Sequence, residues 1–81
     1  MITWEAYEGE VHGYNDEGAE VVTIGALQDR AACAKWNEPY RPGRAWSVLN
    51  EENETVARGR ATDIRAAKTA ALNVLLSRGA L

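Results

Sequence analysis

The stretch from Asp63 to Ser77 constrains the fold more than any other part of this chain. It spaces Ile64, Ala67, Ala71, Val74 and Leu75 at three- and four-residue intervals, the period of a helix with one apolar stripe. Thr62 stands where an N-cap belongs and Gly79 where a helix stops, so the pattern predicts a helix from about Asp63 to Ser77. Such a stripe has to be buried against another layer, and the segments before it read mainly as strands.

"ITWEAYEG" alternates Ile2, Trp4 and Ala6 with Thr3, Glu5 and Tyr7, the two-residue period of a half-buried strand. Its continuation reaches Val11, with Gly9 and Gly13 as a bulge or bend. "GYNDEG" is a turn, and "AEVVTIGAL" is a second, β-branched strand. "QDRAACAKW" reads as about two turns of helix behind an Asp29 N-cap. "NEPYRPGR" is an irregular loop, and "AWSVLN" and "TVARGRA" flank "EENE" as a hairpin. The expected fold is α+β: one domain over residues 1–81, an antiparallel sheet of three or four strands with the C-terminal helix packed across one face.

With 81 residues the chain supports one core and not two. It is 46% hydrophobic and 26% charged, a balance that folds. With no Phe, the three Trp and three Tyr must supply the large core pieces. The single Cys33 excludes an internal disulfide and a cysteine zinc cluster, and is expected as a small buried apolar residue in a reducing compartment. The start of the chain does not read as a signal peptide, and no apolar run approaches the ~20 residues of a membrane helix. A cytoplasmic protein without membrane contact is expected.

Charge is distributed unevenly. Residues 1–29 hold seven acidic side chains and no Lys or Arg, whereas residues 55–81 hold Arg58, Arg60, Arg65, Lys68 and Arg78 against Asp63 alone. Such asymmetry points to polarised faces. One consequence to expect is head-to-tail pairing of two copies, the acidic strands of one against the basic helix of the other.

Little in the sequence points to catalysis. His12 is the only histidine, and no nucleophile or orienting partner accompanies it, so it is expected on the surface or on an edge strand. Glu5, Glu8 and Glu10, and Glu51, Glu52 and Glu54, lack the glycine and ligand spacing of a calcium loop. No catalytic residue, metal site or cofactor is assigned. "ARGRAT" matches neither phosphate-loop pattern; Arg58 and Arg60 either hold an anion at the following helix N-terminus or point outward from a hairpin whose register Val56 and Ala57 help to fix. "WNEPYRPGRAW" interleaves Trp36, Tyr40 and Trp46 with Arg41 and Arg44, as base stacking and phosphate contact require. The competing reading puts Trp46 in the core and uses Trp36 to anchor the short helix, leaving Tyr40 and Arg41 as the exposed pair. On the final helix, Leu72 and Leu76 lie beside the buried stripe, next to Arg65 and Lys68. They are either covered by the Pro-rich loop or the N-terminal segment, or they form a partner interface rimmed by basic side chains.

From Trp46 to Leu76 the chain resembles a strand–turn–strand–helix module of small uncharacterised proteins of phages and their actinobacterial hosts. The residues that carry this are Trp46, Val48, Val56, Ala57, Gly59, Ala61, Thr62, Ala67, Lys68 and Ala71. More loosely, it resembles the C-terminal half of the double-stranded-RNA-binding-domain fold. There a basic helix of pattern Lys-Lys-x-Ala-Lys-x-x-Ala-Ala follows a strand. Ile64 stands at the first basic position, Arg65 at the second and Lys68 at the last, with Ala71 matching and Leu72 replacing its neighbour. That family's first helix and minor-groove loop have no counterpart here. The resemblance implies a sheet-plus-helix shape and, for the phage-like module, a protein that binds a host factor.

Two functions follow as expectations. The first is a small non-catalytic protein-interaction or regulatory domain using Leu72, Leu76, Arg65 and Lys68 and an exposed sheet edge, with a protein partner or a second copy of itself. The alternative is nucleic-acid binding through Arg58, Arg60, Arg65 and Lys68, helped by Tyr40, Arg41 and Arg44. The acidic N-terminal third weighs against that alternative.

Overall fold

The computed structural model describes residues 1–80. In chain order the elements are β1 (Thr3–Tyr7), β2 (Glu10–Tyr14), β3 (Glu20–Ile24), α1 (Arg30–Lys35), β4 (Arg44–Leu49), β5 (Thr55–Ala61) and α2 (Ile64–Ser77). The strands form one sheet in the order β1-β2-β3-β4-β5, every neighbouring pair antiparallel. The architecture is therefore α+β with a C-terminal helix on the sheet, as expected, but the sheet has five strands instead of three or four. The first strand does not continue to Val11. It reverses at Glu8 and Gly9, whose φ values of 50° and 82° are both positive, and Tyr7 pairs with Glu10. Two central residues at positive φ make the tight hairpin turn whose twist matches that of its strands, so Gly9 closes a turn and does not bend a strand.

Two further turns share one construction. Asn15 accepts backbone N–H bonds from Glu17 and Ala19 through Oδ1, and Asn50 does the same for Glu52 and Glu54. Each turn has a positive-φ residue three places after the asparagine, Gly18 or Asn53. Beside each, the register slips by one residue, between Gly13 and Tyr14 and between Val48 and Leu49, which leaves Val21 and Val56 without a cross-strand partner. The asparagine side chain replaces the backbone partners that the turn leaves free, and the slip absorbs the odd residue as a bulge.

α2 lies across β3, β4 and β5. Its buried residues Ala67, Ala71 and Leu75 meet Val22, Ile24 and Val48, with Val11 completing the core, and Ile64 and Val74 pack against it. The expected stripe is thus the buried one. The helix begins one residue later than expected: Asp63, not Thr62, is the N-cap, its Oδ1 accepting from the N–H of Ala66 at 2.8 Å. At the other end, Gly79 at φ 72° and the bonds Gly79 N–H to Leu76 and Ala80 N–H to Leu75 close the helix, a Schellman arrangement.

Each end of the sheet has a tryptophan laid over a cross-strand glycine. Trp46 pairs with Gly59 and Trp4 with Gly13. A Cβ added to Gly59 would come 2.7 Å from the Trp46 ring, and one added to Gly13 would come 2.7 Å from the Trp4 ring. Only a residue without a side chain leaves room for the indole to lie on the backbone. Among the described residues no helix is long and apolar enough to cross a membrane.

Candidate functional site

The pleat sends alternate residues to opposite sides of the sheet, and this separates the basic residues that the sequence groups together. Ala57, Gly59 and Ala61 face α2, so Arg58 and Arg60 project from the other side and are exposed. Arg65 and Lys68 lie on α2. The sheet stands between the two pairs, and they form no common patch. Several of these side chains are also engaged within the fold. Arg60 donates to the carbonyls of Arg41 and Pro42. Arg44 donates to Gly9 at 2.8 Å and Gly25 at 3.3 Å, tying the β1–β2 turn to the end of β3. The Lys68 ammonium sits 4.9 Å from the centre of the Trp4 ring, a cation–π contact. The reading of Arg58 and Arg60 as outward residues of a hairpin fits this geometry.

Leu72 and Leu76 part company. Leu72 packs against the core, while Leu76 is 60% exposed. Of the expected interface, Leu76 and Arg65 therefore remain open on the helix flank, and Lys68 is drawn over Trp4.

The largest exposed apolar side chains concentrate instead between β3 and β4. Leu27, Trp36 and Tyr40 are 60%, 69% and 41% exposed. All three belong to one excursion, Gly25–Gly43, built around α1. Asp29 caps α1 through the N–H groups of Ala31 and Ala32, as the sequence led one to expect. The Gln28 side chain accepts from the N–H of Arg41 and brings the two arms of the excursion together. Cys33 is the buried residue of α1. Trp36 does not anchor the helix: it is the C-cap, its ring turned outward with Lys35 5.6 Å from its centre. Tyr40 carries Arg30 at 5.3 Å, and Arg41 is exposed beside it. Trp46, by contrast, belongs to the core side of the sheet. The motif that interleaves aromatics with arginines thus divides, Trp46 and Arg44 holding the fold and Trp36, Tyr40 and Arg41 facing outward.

On the sheet face opposite α2 lies a polar cluster that sequence reasoning did not assemble. His12 is on β2, inside the sheet and not at its edge, and is half-buried. Its Nδ1 meets the carboxylate of Glu20, and its Nε2 lies 3.2 Å from Glu10. Thr23 donates to the same Glu20 oxygen at 3.1 Å. The Glu20 contact raises the His12 pKa above 6.5, against the opposing pull of partial burial. Burial, with help from Glu20 and Glu5, raises that of Tyr14. The signal for this cluster is the turn chemistry: the reversals at Gly9 and Gly18 fold the acidic N-terminal third on itself. Among the described residues no group of His, Cys, Asp and Glu is arranged to hold a metal ion.

No family model, curated protein or solved structure matches this chain.

Proposed function

We propose that this protein is a small non-catalytic protein-interaction domain that docks a partner protein on the Gly25–Gly43 excursion. One observation carries this reading: Leu27, Trp36 and Tyr40 are exposed together on a single hydrogen-bonded excursion, flanked by Arg30, Lys35 and Arg41. Exposed aromatic and apolar side chains with arginine at their rim are the composition of binding hot spots. The chemistry fits a partner surface with apolar pockets and acidic groups around them. Leu76 and Arg65 add a second, smaller contact on the helix flank. The nucleic-acid alternative draws less support from the geometry, because Arg58 and Arg60 lie across the sheet from Arg65 and Lys68.

The test is cross-linking at the excursion followed by variant binding. A photoreactive group placed at Ala34 should trap a protein partner in the native host. Trp36→Ser and Tyr40→Ser should each weaken that partner at least tenfold, about 1.4 kcal/mol, with unchanged circular dichroism. Salt-sensitive binding of generic duplex or single-stranded nucleic acid, lost in Arg41→Ala, would replace the reading with the alternative.

A further inference from the structure

The face of the sheet opposite α2 is polarised along a single cross-strand row. The pairings Glu5 with His12, His12 with Thr23, Thr23 with Ser47 and Ser47 with Arg58 run across all five strands. The row begins with an exposed carboxylate on β1, passes through two small hydroxyl side chains, and ends on an exposed guanidinium on β5. The row beside it repeats the pattern, with Tyr7 and Glu10 paired at one end and Ala45 and Arg60 at the other. α2 takes the other side, and among the described residues α1 makes no extended contact with any strand.

We infer that this open face binds the same face of a second copy of the chain, about a two-fold axis parallel to the strands and running over β3. That symmetry sets β1 over β5 of the second copy. Glu5 then faces Arg58, and Tyr7, itself 66% exposed, faces Arg60. Each contact occurs twice, as an isologous interface requires. An in-plane axis perpendicular to the strands would set β1 over β1 and oppose like charges, so the charge pattern selects one of the two arrangements. The small residues Thr23, Ala45 and Ser47 in the middle let two sheets approach to the ~10 Å of face-to-face packing. Glu20, nearest the axis, would meet its own copy, but His12 and Thr23 already engage its carboxylate. This pairing differs from the head-to-tail expectation in two respects: it is isologous, and the basic partner of the acidic strands is β5, not the helix.

Five strands at ~4.8 Å spacing and five residues at ~3.3 Å rise give each copy a flat footprint of roughly 400 Å². Two copies together bury about 800 Å², below the roughly 1,000 Å² that a stable specific interface clears, so the dimer is weak, reversible and sensitive to salt.

Sedimentation equilibrium of the full chain at millimolar concentration tests the idea. The expected result is a mass that approaches twice the monomer at about 0.01 M salt and returns to monomer at about 1 M, as the screening length falls from about 30 Å to about 3 Å. Glu5→Arg alone and Arg58→Glu alone should each stay monomeric, and an equimolar mixture of the two should recover the doubled mass, because both cross-contacts then join opposite charges. Monomer for the unaltered chain under all conditions overturns the inference, as does a dimer that survives Arg58→Glu or a mixture that fails to associate. Trp36→Ser should leave the dimer unchanged, which separates this surface from the excursion.

Discussion

The two tryptophan–glycine pairs are alike in register and unlike in setting. Trp46 lies over Gly59 on β4 and β5, strands that α2 crosses, and its ring packs against the core on that side of the sheet. Trp4 lies over Gly13 on the edge strand, outside the main footprint of α2, packed at the margin of the core with Lys68 reaching across to it. The same local device thus sits within the footprint of the helix in one case and at its margin, with Lys68 over the ring, in the other. The difference teaches that the stability of such a pair resides less in the pair than in what covers it.

Substitutions at the two pairs should rank accordingly. Trp46→Ala removes a large ring from beneath the helix and should cost about 3–4 kcal/mol in a denaturant melt, whereas Trp4→Ala should cost about half as much. Equal losses would break the distinction. Gly59→Ala should cost about 2 kcal/mol, because the helix blocks the retreat of the Trp46 ring, and Gly13→Ala about 1 kcal/mol, because Trp4 can swing outward. Lys68→Ala should cost about 0.5 kcal/mol in the parent and nothing in Trp4→Ala, a double-mutant cycle that isolates the tether.

The smallest expected effect concerns His12, which lies on the other face. Its pKa is raised in the fold, so the stabilisation from its Glu10 and Glu20 contacts is fully present below about pH 6.5, the ordinary imidazole value, and is lost as pH rises through the folded value. His12→Gln should remove that decline from a series of melts across neutral pH and leave the acid side of the profile to the carboxylates.

The sequence made some of this plain and hid the rest for physical reasons. The α2 stripe was legible because period and caps agreed, and the Asp29 cap because short side chains at a helix start have one main use. The extra strand was missed because Glu8 is not a usual left-handed residue; Gly9 alone reads equally well as a bend. The one-residue error at the α2 cap arose because Thr62 and Asp63 are both good caps, and backbone geometry chose the second. The candidate surfaces were half legible. Composition marked the aromatic–arginine loop, but only cross-strand pairing shows that Trp46 and Arg44 turn inward. The division of the basic cluster follows from a pleat parity that no count of charges contains.

The sparse packing of the Gly25–Gly43 excursion has a consequence for hydrogen exchange. Its short helix buries Cys33 and little else, while β3, β4 and α2 share the core. Amides of α1 should therefore exchange through local opening, and those of Val22, Ile24, Val48 and Leu75 only through global unfolding. A ligand that orders the excursion would slow the first set and barely touch the second, making the protein's own amides a map of where it is held.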